Sequence, residues 1–421
     1  MESGREVVVT GLGVVSPIGI GKVALWESFC TQRSGIRNVG SLLTTPLPLR
    51  FGAIIPDFDA RQYVQPRKSL KVMSREIQTG FAAAQLAIRD AQLPSGSVDP
   101  DRLGVVFGSE MLYCELDDLQ PAYTACIHDG RFQYPDWGTK GLGQLYPLWM
   151  LKYLPNMVAC HIGIANDARG PNNTILQGEV SSLLAMIEGA RILQRGHADV
   201  MIVGGTGSRI NVTALLYRGD SNLSHRRDEP EKASRPFDAG RDGMVNGEGA
   251  GALVLETHNH ALARGGPILA RFLGAGIGFH PRGEDQPLSH QGISRSIQLA
   301  MREAKSAPDQ VGFVKAHGVS TVVDDILEAR AIQECLPEVA VTAPKSFFGN
   351  LGAGGGAVEA VGAVMALQHD RIPVTLNYCQ PDPACPVQVV HGTDQPNRQR
   401  SALLLNQSGT GQTAAILLGP P

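Results

Sequence analysis

The feature that most constrains this chain is an alternation: short β-rich apolar runs, each closed by glycine or another breaker, with helical repeats between them. Strand candidates are Val7 to Thr10, Leu103 to Gly108, Val200 to Gly204, Gly251 to Glu256, Gly312 to Ala316 and Ser401 to Leu405. In SREIQTGFAAAQLAIRDA, the residues Ile77, Phe81, Ala84 and Ile88 recur at spacings of four, three and four, which sets them on one helical face. The stretch TILQGEVSSLLAMIEGARIL, residues 174–193, is small and polar up to Ser182 and then becomes a second repeat. There Val180, Leu184, Ile187 and Arg191 form one line, with Leu183, Ile187 and Ala190 beside it. This pattern predicts an α/β architecture. The 49 glycines fall at the ends of apolar segments more than in low-complexity runs, as tight strand-to-helix turns require. One such turn at Gln177–Glu179 and another at Gly352–Gly356 each feed a long helix, a hint of duplication, with ETHNHALARGGP near residue 260 as the seam.

Bulk properties narrow the function classes. The chain has 421 residues, 43% hydrophobic and 18% charged, with a net charge of -3, so it has ample core and no polyelectrolyte character that would suggest nucleic acid. No charge-free apolar run approaches about 18 residues, which argues against a membrane span. The opening MESGREVVVTGLG lacks the basic, apolar and small-residue order of a signal peptide, so a cytoplasmic protein is expected. Seven scattered cysteines without a C-x-x-C pair (Cys30, Cys114, Cys126, Cys160, Cys335, Cys379, Cys385) predict neither a disulfide scaffold nor a metal site, and most are expected to be buried.

Four segments read together are more specific: VVVTGLGVVSPIG, RPFDAGRDGMVNGEGAGALVLE, VKAHGVSTVVDD and PKSFFGNLGAGGGAVEA. In order and approximate spacing they resemble the β-ketoacyl synthases, the condensing, acyltransferase enzymes of fatty-acid and polyketide assembly, over nearly the whole chain. The resemblance implies the thiolase fold: five layers, αβαβα, built from two similar βαβαβαββ halves, here divided as residues 1–258 and 259–421. It also implies a homodimer or a heterodimer with an active ketosynthase. No cofactor is implied; the substrate would arrive on the phosphopantetheine arm of an acyl carrier protein.

Residue by residue, Arg235, Pro236, Phe237, Asp238, Arg241, Asp242, Gly243, Gly247 and Gly249 match the family's internal signature. His317 falls on its first histidine, with Asp325 eight positions on, and Lys345 and Glu359 fall on its supporting lysine and glutamate. The site itself departs from the pattern. Where the family turn reads roughly A-C-S-S, this chain reads GEVSS, so Glu179 replaces the nucleophilic cysteine, in a register set by RGHADVMIVGG downstream. The second family histidine is Asn350, and the gating loop reads NQSGTGQTA, with Ser408 and Thr410 where aromatics would stand.

A thiolate at a helix N-terminus attacks a thioester to form another of similar energy, so acyl transfer is reversible. Attack by a carboxylate would give a far more activated anhydride, so condensation by this chain alone is not expected. Two roles remain open. One is a non-condensing partner subunit of the chain-length-factor kind, in which Glu179, ionised beside His317, bridges and fills the former site. The other is a malonyl-carrier-protein decarboxylase or atypical acyltransferase, in which neutral His317 and the Asn350 amide donate to a developing enolate.

Two further segments invite a reading. RKSLKVMSR, with Arg67, Lys68, Lys71 and Arg75, is either a solvated helix start or a patch that docks an acidic carrier protein. YPLWMLKYLPNM, with Tyr146, Trp149 and Tyr153, resembles the family's interface segment, and core packing explains it equally. Cys160 and His161 are read as strand neighbours on opposite faces, which argues against a dyad.

Overall fold

A computed structural model describes residues 5–39, 50–94, 96–219, 221–226, 228–282 and 288–421; the first four residues of the N-terminal reading lie outside them. Eleven strands and six helices position the site. The strands are β1 (Val7–Ser16), β2 (Leu103–Gly108), β3 (Asn172–Ile175), β4 (Val200–Ser208), β5 (Glu248–Thr257), β6 (Ala270–Phe279), β7 (Phe313–Lys315), β8 (Ala340–Thr342), β9 (Gln388–Val389), β10 (Ala402–Gln407) and β11 (Gln412–Gly419). The helices are α1 (Arg75–Asp90), α2 (Met157–Ala165), α3 (Ser181–Gln194), α4 (Gln291–Ala304), α5 (Val322–Cys335) and α6 (Gly355–Gln368).

The strands follow the order β9-β8-β7-β10-β11-β6-β1-β5-β4-β2-β3, with the two-residue strand Gly19–Ile20 added beside β1. The order is close to a mirror image about the β1–β6 junction. On one side β1-β5-β4 is antiparallel and β4-β2-β3 parallel. On the other, β6-β11-β10 is antiparallel and β10-β7-β8 parallel. The junction itself pairs only Val7, Val8 and Val9 with Phe272, Arg271 and Ala270, so the two halves can fold over one another.

Helices α3 and α6 touch each other and pack on strands of both halves. Helices α1 and α2 cover the outer face of the first half, and α4 and α5 that of the second. The result is five layers, αβαβα, with one apolar cluster around α3 and α6 and one under each outer helix pair. The expected α1 face is the buried one: Ile77, Phe81 and Ala84 are buried and Ile88 is half-buried.

Glycine sets how closely the outer helices approach. A Cβ on Gly11 or Gly13 of β1 would lie 2.2 Å from the Ala87 carbonyl oxygen or 1.9 Å from that of Ala83, both on α1. A Cβ on Gly276 of β6 would lie 2.0 Å from the Ser296 carbonyl oxygen on α4. The first strand of each half therefore meets its helix backbone to backbone.

Some expectations are corrected. No sequence candidate covers strands β3, β6, β8, β9 and β11, and β1, β4 and β5 run beyond their expected bounds. Only Cys126 and Cys385 of the seven cysteines are buried. Cys160 and His161 sit on α2, not on a strand, and the Cys160 thiol accepts a hydrogen bond from Asn156 at 3.6 Å. No helix among the described residues is long and apolar enough to cross a membrane.

Candidate active site

After β3 the chain makes one 3-10 turn, Gly178–Val180, and runs into α3. Gly178 holds φ at 61°, a left-handed conformation that favours glycine. The Ser181 hydroxyl donates to the Gly178 carbonyl at 2.7 Å and accepts the Gln177 N–H at 2.8 Å, locking the turn. The second half repeats the device with the 3-10 turn Gly352–Gly354 before α6, and α3 and α6 have equal lengths of 14 residues. Glu179 thus stands at the mouth of a helix, where the dipole favours an anion.

A cavity of about 470 Å³ opens over this turn and brings together Glu179, His317, Asn350, Ser408 and Thr410, which lie far apart in sequence. None of the seven cysteines lines it. The expected bridge from Glu179 to His317 is not what forms: the Glu179 carboxylate accepts from Arg209 at 2.6 Å and from the Asn350 amide at 3.4 Å. Burial pushes the Glu179 carboxyl up, but Arg209, its own backbone N–H, Arg218 and Asn350 outweigh it and hold the group below its ordinary value. Glu179 is an anion.

Arg209 follows directly on β4 and is only 4% exposed. It also lies 3.6 Å from Glu110, just beyond β2, which pairs with Arg218 at 2.5 Å. Glu110 in turn accepts the Ala353 N–H at 2.6 Å under the second glycine turn. Neither Glu110 nor Arg209 was expected from sequence, and the available signal was a charge just past the end of a buried strand.

His317 is 3% exposed. Burial, then the charges of Lys345 and Lys315, hold its imidazole well below the usual value, so it is neutral. Lys345 Nζ lies 3.3 Å from Nδ1 and 2.8 Å from the His317 carbonyl oxygen. An ammonium can only donate, so Nδ1 accepts and the ring proton is assigned to Nε2.

Behind the imidazole, Glu359 on α6 accepts from both Lys345 and Lys315, the latter at 2.5 Å. Lys315 also donates to the Leu405 carbonyl at 2.9 Å and to Asn406 Oδ1 at 2.8 Å. Burial, offset in part by Glu359, brings the Lys315 ammonium down to about 8. Lys345 and Glu359 thus support the histidine, and Lys315 is the third member that sequence reasoning missed, although a lysine inside an apolar run was its mark.

Asp325 lies outside the cavity. Its carboxylate accepts the N–H groups of Val319, Ser320 and Phe237 at 3.0, 3.1 and 2.9 Å. One turn on, Glu328 accepts those of His317 and Gly318 at 2.5 and 2.7 Å. Together they fix the loop that carries the histidine. At the gate, the Ser408 and Thr410 hydroxyls lie 2.9 Å apart, and both donate to Gln412 Oε1 at 3.1 and 2.5 Å.

The basic segment loses one member. Arg67–Val72 is a 3-10 helix with Arg67, Lys68 and Lys71 exposed. Arg75 instead makes two 2.7 Å bonds to buried Glu248 and lies over Phe58, so it is part of the framework. In the aromatic segment Tyr146 is exposed while Tyr153 is buried and donates to Asp118.

Comparison with known proteins agrees with this architecture. Residues 4–261 match the model for the β-ketoacyl synthase N-terminal domain, and residues 269–379 that for the C-terminal domain. The chain is 35% identical over 396 residues to a 3-oxoacyl-[acyl-carrier-protein] synthase 2 of Synechocystis sp., covering 92% of this chain and 91% of the relative. A β-ketoacyl synthase structure from Burkholderia phymatum STM815 superposes with a TM-score of 0.89 at 26% identity, over 99% of this chain and 100% of that one. A structure described as "The ishigamide ketosynthase/chain length factor" gives 0.86 at 26% identity over the whole of both chains. With five thiolase-fold layers, a glycine turn feeding each central helix, and these matches across nearly its full length, the chain belongs to the β-ketoacyl synthase family.

Proposed function

We propose that this chain is a non-condensing member of its family, a chain-length-factor-like partner of an active ketosynthase, with Glu179 standing where the nucleophilic cysteine stands in the condensing members. One observation carries the reading: an anionic carboxylate, held by Arg209, tops the elbow turn of a cavity that no cysteine lines. A carboxylate neutralised by a buried guanidinium is a poor nucleophile, and its acyl product would be an anhydride. The superposition on the structure described as "The ishigamide ketosynthase/chain length factor" supports this reading. The acyl carrier protein would dock near exposed Arg67, Lys68 and Lys71 and present its phosphopantetheine arm to the cavity. The working assembly is then a heterodimer.

A decarboxylase role has one favourable observation, the neutral imidazole of His317 lining the same cavity as the Asn350 amide. Two others oppose it. The Asn350 amide already donates to Glu179. The Glu179 anion would also oppose a malonyl carboxylate, by less than the roughly 1 to 4 kcal/mol of an unpaired charge at about 4 Å, because Arg209 offsets part of its charge.

The test is to incubate the purified chain, alone and with a cysteine-bearing homologue, with acyl and malonyl carrier protein and to follow masses. Co-purification with that homologue and extension only in its presence are expected. A β-ketoacyl product or an acyl adduct on Glu179 from the chain alone would overturn the proposal. Release of acetyl carrier protein, abolished by His317→Ala, would establish the decarboxylase instead.

A further inference from the structure

The charges around the elbow form a chain that no single segment reveals. Arg218, at the end of the helix Val212–Arg218, pairs with Glu110; Glu110 lies 3.6 Å from Arg209; Arg209 pairs with Glu179 at 2.6 Å. Three of the four side chains are 15% exposed or less, and Arg218 is 32% exposed. The chain is also wedged in place. Gly352, at φ 58°, leaves a gap in which an added Cβ would lie 1.8 Å from Glu110 Oε1, so the carboxylate is seated against the second glycine turn. The Ala353 N–H then pins it.

We propose that Arg209 is a positioning residue: clamped by Glu110, it holds the Glu179 carboxylate in an ion pair at the cavity wall, whichever reaction the cavity serves. The charged and polar groups that act on this pair come from several elements. Arg209 follows β4, Arg218 ends its helix, Glu110 and Tyr113 follow β2, and Asn350 precedes the second turn. Across the cavity stand neutral His317 and the ion pair of Arg282 with Asp324. Among the described residues Arg209 is the one cation in direct contact with Glu179, and without it a buried carboxyl with an amide partner takes up a proton and becomes a neutral hydrogen-bond donor, as an amide at this turn would be.

The experiment is an infrared pH titration of the full-length chain, with Glu179→Gln subtracted to isolate the Glu179 carboxyl band. In the unsubstituted chain the band is expected as carboxylate down to below the ordinary glutamate value of 4.5. In Arg209→Met the protonated band should appear at a pH higher by roughly one to three units, and Arg209→Lys should return most of the shift. A merely structural arginine would not move this band. Should Arg209→Met fail to fold, Arg209→Gln combined with Glu110→Gln keeps the local charge balanced and carries the same expectation. A Glu179 titration unchanged on removal of the Arg209 charge, or one that lysine does not restore, would overturn the proposal.

Discussion

Glu359 offers the sharpest energetic test of how the site is held. Its side chain is 0% exposed and neutralises two ammoniums, Lys315 and Lys345, each 1% exposed. Glu359→Gln keeps the shape and removes the charge. The lysines then retain only neutral acceptors: the Leu405 carbonyl and Asn406 Oδ1 for Lys315, and the carbonyl and Nδ1 of His317 for Lys345. Removing one partner of a buried pair costs about 3 to 5 kcal/mol.

Deprotonation sets the ceiling on that cost. Bringing a lysine of ordinary value 10.5 to neutrality at pH 7 costs about 1.4 kcal/mol per pH unit, or about 5 kcal/mol. Against a total stability of about 5 to 15 kcal/mol, a deficit of about 3 to 5 is easily read by urea unfolding. The sign with pH follows from the same logic. In the variant a lysine is neutral when folded and charged when unfolded, so the unfolded state binds more protons and stability rises with pH. Lys315 in the unsubstituted chain titrates at about 8, so the deficit should shrink by about 1 kcal/mol between pH 7 and 8. A deficit under about 1 kcal/mol at pH 7, or one that grows as pH rises, would refute the claim that these lysines are charged and need their acid.

Three other perturbations should be equally legible. The Glu179 carboxyl is held below its ordinary 4.5, so its ionic contribution is fully present above that pH and is lost as pH falls through the folded value. The stability gap between the unsubstituted chain and Glu179→Gln should therefore be flat from pH 7 to about 5 and narrow below it in acid-unfolding curves. Gly276→Ala puts a methyl 2.0 Å from the Ser296 carbonyl oxygen, so α4 must lift off β6, at a cost of about 1 to 3 kcal/mol in thermal or urea unfolding. Replacing exposed Arg67, Lys68 and Lys71 together by alanine should change stability by no more than about 0.5 kcal/mol per site, and should slow association with an acidic carrier protein at low salt in stopped flow, an effect that disappears near 1 M salt.

The fold was readable in Val-, Ile- and Leu-rich strands such as β2 and β4, and unreadable in β6 and β3, which are built largely from small or polar residues. In ARFLGAGIGF the glycines at 274, 276 and 278 look like turn punctuation, yet they are the alternate positions on which α4 rests. The same need for close approach put Gly11 and Gly13 into β1, where flanking valines kept the strand visible. Strand β3, NNTI, fails for another reason: it is a polar edge strand whose only pairing is with β2. Long-range packing, not local propensity, decides all three cases.

The site divides along a similar line. His317, Lys345, Asn350, Glu359 and the residue at 179 sit in motifs with local pattern, and the structure brings them around one cavity or directly behind it. Their partners have no local pattern: Glu110 meets Ala353 across 243 positions, and Arg209 meets Glu179 across 30. Without those partners a carboxylate at the mouth of a helix invites two contradictory readings, as nucleophile or as bridge to the histidine. Arg209 selects between them, because a buried guanidinium at 2.6 Å both keeps Glu179 charged and takes up the carboxylate as its own partner. What a residue does at such a turn is therefore set less by its own identity than by the countercharge beside it, and the two must be substituted together before any role is assigned to either.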